Sequence, residues 1–255
     1  MNSLEIQETK PFSIRGNLYG LLIEIRAREW VKNLLVFTGV IFSGSLTNLH
    51  NLWISVLGFA LFCCASSGIY VFNDLCDRLQ DREHPVKSKR PIASGAVDLN
   101  FARAAVVLLF AISIVGSIWL SYSFAVIIGF YLAAFVAYSI KLKNAVILDV
   151  ILIASGFVLR AISGAVLIGV DVSEWLVICT SMVALLIGFG KRRHELVLLE
   201  RSAENHRPSL GDYSIEFLDV IMNICAGAAV VTYALYTTSI ETILRVGSHG
   251  MLMTI

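Results

Sequence analysis

The chain has 255 residues, 57% of them hydrophobic and only 15% charged, with a mean hydropathy of +0.77. A soluble domain carries nearer 25% charged residues, and apolar runs of about twenty residues read as membrane spans, so a water-soluble globule is excluded. The net charge of +1 says little by itself; where the charges sit says more, and no nucleic-acid partner is expected.

The N-terminus, MNSLEIQETKPFSIRGN, is polar and mixed in charge, without the short apolar core and cleavage site of a signal peptide. An amphipathic segment, LLIEIRAREWVKN, follows. Apolar runs then predict spans at roughly 31–47, 51–72, 99–119, 121–140, 145–169, 173–190 and 216–239. All have helical length and none alternates like a strand. The predicted fold is therefore all-α, a polytopic bundle of about seven transmembrane helices. Cys63, Cys64, Cys76, Cys179 and Cys225 lack metal-ligand spacing and read as small hydrophobes.

Of the 20 Lys and Arg residues, 18 lie in the N-terminal segment and around the loops after predicted helices 2, 4 and 6; the others are Arg160 and Arg245. The positive-inside rule makes the N-terminus and those loops cytoplasmic. Two of the loops are long, about 73–98 and 191–215, four helices apart, each with an Arg-Pro pair at 90–91 and 207–208. One transmembrane domain is expected, with an N-terminal half at about 18–140 carrying an Asp-rich loop and a C-terminal half at about 141–255 carrying a basic one.

The first of these loops reads NDLCDRLQDREHPVKSKRPIASG. Asp74, Asp77 and Asp81 are spaced i, i+3, i+7, and at about 100° per residue they share one narrow helical stripe, with Asn73 beside it. Carboxylates so placed repel unless a cation sits among them. Oxygen ligands suit Mg²⁺, which takes one or two carboxylates plus substrate phosphates. The triplet thus predicts a Mg²⁺–diphosphate site; the competing reading is a solvated helix end paired with Arg78 and Arg82. Pro85 stops the helix, His84 before it reads as a cap or loop residue, and Lys87, Lys89 and Arg90 supply cations able to fold over a phosphate.

Asp149 and Arg160 share a face of the fifth predicted helix, about 16 Å apart along the axis. Asp149 lies near the cytoplasmic end, where it borders the expected substrate cavity. Arg160 lies deep, where an ionisable group costs about 2.5–3.5 kcal/mol; a structural role against carbonyls or hydroxyls of other helices is expected.

The pattern N-D-x-x-D-x-x-x-D after the second helix resembles that of the UbiA superfamily of intramembrane prenyltransferases. Aromatic prenyltransferases of that superfamily carry a second Asp-rich motif after helix 6, where this chain instead has GKRRHEL, residues 190–196. Together with REWVKNLLVF (28–37), YSIKLKNAVILDV (138–150) and GFVLRAISGAVLIG (156–169), the pattern is similar to the decaprenyl-phosphate phosphoribosyltransferase branch. The resemblance implies a bundle of about nine helices, so the C-terminal half is expected to be truncated by about two.

It also implies a reaction: Mg²⁺-dependent transfer of a 5-phosphoribosyl group from 5-phosphoribosyl 1-diphosphate to a polyprenyl phosphate, releasing diphosphate, toward arabinose donors of the cell wall in a bacterial plasma membrane. Metal and catalytic duty then falls to Asp74, Asp77 and Asp81 with Asn73. The donor's phosphates call for Lys87, Arg90, Lys32 with Asn33 beside it, Tyr138, Lys141 (preferred over Lys143), Lys191, Arg192 and Arg193. Homo-oligomerisation is left open. The alternatives are a prenyl diphosphate:aromatic prenyltransferase, against which the missing second Asp motif speaks, and a transporter or non-catalytic scaffold, against which the gathering of charge at one face speaks.

Overall fold

A computed structural model describes residues 14–198 and 213–239. Among them every regular element is helical. In chain order these are α1 (Ile14–Glu24), a 3-10 helix (Ala27–Phe37), α2 (Thr38–Phe42), α3 (Leu49–Glu83), α4 (Leu99–Leu120), α5 (Tyr122–Ile140), α6 (Leu148–Leu167), α7 (Glu174–Leu198) and α8 (Ile215–Thr238), with short 3-10 turns between some of them. Polar caps set several starts: Asn48, Asp98, Ser121 and Ser214 each accept backbone N–H bonds from the first turn of α3, α4, α5 and α8. The chain is an integral membrane protein: six described helices, α3 to α8, are long and apolar enough to span a bilayer.

The predicted first span, 31–47, differs from the expectation. It is wound as the 3-10 helix and the single short α2 rather than as one long α-helix. At about 2 Å of rise per residue a 3-10 helix covers more depth than an α-helix of equal length, so Ala27–Thr47 still reaches deep into the bundle. It packs between α3 and α6. There Gly39 and Gly164 bring two backbones together: a Cβ on Gly164 would stand 2.0 Å from the Val36 carbonyl oxygen.

Val36, Phe62, Phe124, Ile128, Tyr131 and Leu132 form the central core between these elements. The α7–α8 pair packs on α6 around Val150, Phe189, Tyr213 and Leu218. Large apolar side chains such as Val107, Val115, Trp119 and Phe130 point outward, as a lipid-facing surface requires.

Arg160 has the structural role expected of it. Its Nε donates to Asn33 Oδ1 at 2.7 Å, one Nη to the Gly156 carbonyl at 2.6 Å and the other to the Tyr131 hydroxyl at 2.9 Å. Its guanidinium also lies over the Phe62 and Tyr131 rings. Arg160→Ala orphans these acceptors, each worth about 1–3 kcal/mol when buried and unsatisfied. Folded yield and thermal midpoint in detergent should fall clearly, with the Michaelis constant for donor unchanged in the surviving fraction. Normal yield with selectively lost donor affinity would reassign Arg160 to substrate.

Helix α3 positions the site. At 35 residues it is roughly 52 Å long, well beyond a hydrocarbon core of about 30 Å. Its last turns carry the aspartate motif out of the apolar layer. Residues 73–83 are thus a helical extension of the span, as the aspartate spacing and the stop at Pro85 predict. It ends at His84, whose Nδ1 accepts from the Val86 and Lys87 N–H groups, and Pro85 follows.

Helix α1 is turned inside out. Its buried positions are Asn17, Gly20 and Glu24, spaced i, i+3, i+7. Ile14, Leu18, Tyr19, Leu22 and Ile23 face outward. The polar face grips residues 91–98: Asn17 Oδ1 accepts from the Asp98 N–H, Glu24 Oε1 accepts from the Ile92 N–H, and a Cβ on Gly20 would meet Val97 Cγ2 at 2.3 Å. An apolar outer face at the charged end of the bundle suits a helix lying at the lipid–water boundary.

Candidate active site

The three aspartates do share one stripe of α3, and each carboxylate meets a cation: from distant parts of the chain at Asp74 and Asp77, from the loop just after α3 at Asp81. Asp74 is buried. One Nη of Arg26 donates to its two oxygens at 2.6 and 2.5 Å, and Arg90 donates to Oδ1 at 2.9 Å. The same Arg90 nitrogen donates to Asp81 Oδ2 at 2.6 Å, and Lys87 stands 3.9 Å from Asp81. Asp77 is paired with Lys143 and accepts from Asn73 Nδ2 at 3.1 Å. The carboxylates therefore look inward, to Arg26, Arg90 and Lys143. Arg82 donates through Nε to the Ala93 carbonyl.

Arg26 reaches Asp74 because the chain reverses there. Its φ and ψ are 50° and 57°, the left-handed region that costs a non-glycine residue about 1–2 kcal/mol. The turn separates α1 from the 3-10 helix and aims the guanidinium at α3, where it also lies 5.2 Å from the Tyr70 ring centroid. Behind it sits Glu24. Burial first, then the hydrogen bond and charge of Asp74, push the Glu24 carboxyl up to about 8. That direction favours the neutral acid, which accepts from the Ile92 N–H and has a proton to share with Asp74. Glu24→Gln keeps both an acceptor and a donor and should retain activity and thermal midpoint. Glu24→Ala leaves the buried Ile92 N–H without its acceptor and should lose about 1–3 kcal/mol, read as a lower midpoint. Equal behaviour of the two variants would show that Glu24 is not the neutral bridge.

Beyond this cluster lie more basic groups. Lys32 pairs with Glu29. The Lys32 hydrogen bond holds the Glu29 carboxyl below the usual range, and Arg26 and Lys191 add to the effect. Lys191, about two turns before the end of α7, is thus within electrostatic reach of Glu29, as Lys32 and Arg26 are; its Nζ is 4.0 Å from Glu195. Lys141 stands exposed at the end of α5. Tyr138, one turn earlier, is within electrostatic reach of Arg192.

Several expected substrate contacts are placed elsewhere. Arg192 and Arg193 do not turn toward the stripe. Arg192 is buried and donates to Asp149 Oδ2 at 2.7 Å, with Glu195 as its second partner. Arg193 pairs with Asp219 across α7 and α8. Consecutive residues point about 100° apart on a helix, so three basic neighbours cannot close on one phosphate. Asp149 is likewise wholly buried, accepting from Arg192 and from the Tyr213 hydroxyl at 3.2 Å. That hydroxyl also accepts from the Ile147 N–H at 2.6 Å, fixing the positive φ of 66° at which α6 begins. Asn33 is fully buried with its amide shared among Cys63, Ser66 and Arg160. The remainder of the expected basic loop, including Arg207-Pro208, and Arg245 lie outside the described residues.

Among the described residues no three His, Cys, Asp or Glu side chains stand together as a ready metal cage, so the expected three-carboxylate ligand set is not pre-assembled. The donor chemistry still fits Mg²⁺, which needs only one or two of these hard carboxylate oxygens beside phosphate oxygens and water. Asp77, partly exposed and adjacent to Asn73, is the most accessible of the three.

The UbiA prenyltransferase family matches residues 34–249. The chain belongs to this family. It is 37% identical over 224 residues to a decaprenyl-phosphate phosphoribosyltransferase of Mycolicibacterium smegmatis, covering 86% of this chain and 70% of that one. It is 35% identical to the Corynebacterium glutamicum protein of the same name, covering 85% and 67%. A UbiA homolog from Archaeoglobus fulgidus bound to GPP and Mg²⁺ superposes with a TM-score of 0.73 at 19% identity, covering 92% of this chain and 84% of that one; at that identity the likeness is one of fold. This UbiA-family chain is a transferase, which sets aside the transporter or scaffold alternative. Arg26 and Glu24, missed in the sequence, and Lys143, ranked there below Lys141, join its candidate site. The i, i+3, i+7 spacing of Asn17, Gly20 and Glu24 within an apolar segment was the one local signal that α1 docks by its polar side.

Proposed function

We propose that this UbiA-family transferase moves a 5-phosphoribosyl group from 5-phosphoribosyl 1-diphosphate to a polyprenyl phosphate, releasing diphosphate. The observation that carries the reading is the wealth of cations around the stripe. Arg26, Arg90, Lys87 and Lys143 already face the carboxylates, and Lys32 and Lys191 stand beside them. A prenyl diphosphate has one charged group; this donor has two, a diphosphate and a 5-phosphate. The relatives bearing the phosphoribosyltransferase name support the same choice.

In this reading Asp77 and Asp74 hold Mg²⁺, with Asp81 behind them. When bound, the ion supplies neutralisation of the leaving diphosphate as charge develops on it. Arg26, Arg90 and Lys143 are within one side-chain rotation of exchanging a carboxylate for a phosphate oxygen. Lys32 and Lys191 orient the 5-phosphate. The acceptor phosphate is already an anion, so no general base is needed. The charged end, with the N-terminus, is assigned to the cytoplasmic side of a bacterial plasma membrane from the distribution of Lys and Arg.

The test is direct. Purified chain in detergent receives Mg²⁺, labelled phosphoribosyl diphosphate and a polyprenyl phosphate. Label should pass into lipid, and chelation of the metal should stop it. Turnover of a prenyl diphosphate with an aromatic acceptor, and none of the phosphoribosyl donor, would overturn the reading.

A further inference from the structure

Next to the aspartate stripe, on the following quarter-turn of α3, lies a second basic site that the proposed reaction does not use. Two adjoining cavities of about 430 and 250 Å³ open between the polar ends of α3 and α4. They share Arg78, Leu99 and Arg103, and Arg82 lines the larger. The only carboxylate in their walls is Asp98, which is already occupied as the cap of α4, accepting from the Asn100 and Phe101 N–H groups at 3.0 and 2.9 Å. Arg82 is anchored to the Ala93 carbonyl and Arg103 to Asn100 Oδ1 at 3.1 Å. Neither, nor Arg78, forms an ion pair with a carboxylate of the described residues. The arginines of the catalytic cluster are all neutralised by carboxylates; these three are not.

The apolar surroundings say what kind of anion belongs here. Leu75 and Leu79 line the smaller cavity, and Leu79 is 66% exposed. One turn along α4 from Arg103 the outward face becomes Val107, then Ile114 and Ile118, all exposed. A phosphate held by the arginines would thus have an apolar lane running from it toward the middle of the bilayer. A soluble phosphate has no use for that lane; a phospholipid has. Basic residues at a membrane edge follow topology in general, but a cavity walled by arginines without counter-ions between two spans is the form of an anionic-lipid headgroup site. We propose that Arg78, Arg82 and Arg103 bind the phosphate of an anionic phospholipid whose chains lie along α4. The floor of the cavity is the segment 92–98, the same segment that α1 grips, so the bound lipid would brace that wall from its outer side.

The experiment is a binding titration of the full chain in detergent with fluorescent phosphatidylglycerol, and separately with fluorescent phosphatidylcholine. Saturable binding of the first and not the second is expected. Arg78→Gln with Arg103→Gln should weaken it about 30-fold, the contribution of two interfacial cations, while Arg15→Gln, an exposed charge on α1, leaves it unchanged. Should the double substitution fail to fold, Arg103→Gln alone carries the same comparison. Equal binding of the two lipids, equal loss in Arg15→Gln, or full displacement of the probe by inorganic phosphate would each overturn the proposal, the last by assigning the site to a soluble anion. None of these readouts depends on phosphoribosyl transfer.

Discussion

Asp77→Asn is expected to cut transfer about 10²–10³-fold, the usual cost of removing one electrostatic contributor at a reacting centre, with the fold intact. The fold is spared because asparagine has nearly the same shape as aspartate and its amide oxygen can still accept from Lys143. The same amide would still accept from Asn73. Asp74 offers no such separation. It holds Arg26 and Arg90, and its loss would leave Arg26 without its carboxylate and Arg90 with Asp81 alone. Residual activity in Asp77→Asn should demand more Mg²⁺ for half-maximal rate. An unaltered rate and an unaltered Mg²⁺ requirement would remove the stripe from the metal site.

What could be read in the sequence was whatever repeats along one helix. The stripe Asp74, Asp77, Asp81 follows from helical spacing, the stop at His84-Pro85 from proline geometry, and the structural duty of Arg160 from its depth. Partners brought in from afar could not be read. Arg26 meets Asp74 across 48 residues and Lys143 meets Asp77 across 66. The sequence favours Lys141 over Lys143, yet it is Lys143, in the short turn Leu142–Asn144, that meets Asp77. The Lys191-Arg192-Arg193 run looked like a clamp because adjacency in sequence suggests adjacency in space. On a helix it means divergence, and Asp149, Asp219 and Glu29 each claim the field of a different member.

The second large effect is expected from Asp149→Ala. Asp149 and Arg192 have side-chain exposures of 0% and 1%, and removing one member of a buried pair typically costs about 3–5 kcal/mol. Two further bonds depend on the carboxylate: the Tyr213 hydroxyl and the Val150 N–H donate to it at 3.2 and 2.8 Å. The variant should show a markedly lower thermal midpoint in detergent. Adding Arg192→Leu should recover part of the loss, because the uncompensated charge goes with it; a double-mutant cycle isolates the coupling. A stable Asp149→Ala variant with weakened donor binding would instead return Arg192 to the phosphates.

The docking of α1 has a consequence for the order of assembly. Its anchors are the backbone N–H groups of Ile92 and Asp98, which follow Glu24 and Asn17 by 68 and 81 residues. None of these partners exists while the first helix is being made. At about 5–20 residues per second of synthesis, α1 waits roughly 4–16 s before its polar side has anything to grip. Its apolar side has lipid available from the start. The newborn segment would therefore be held at the membrane surface by the face that ends up outermost, and closing it onto residues 91–98 would be a late step that also delivers Arg26 to Asp74. Pairing of Arg26 with Asp74 is in this way timed to the arrival of the loop after α3, and Lys143 joins the cluster only after α5 is made.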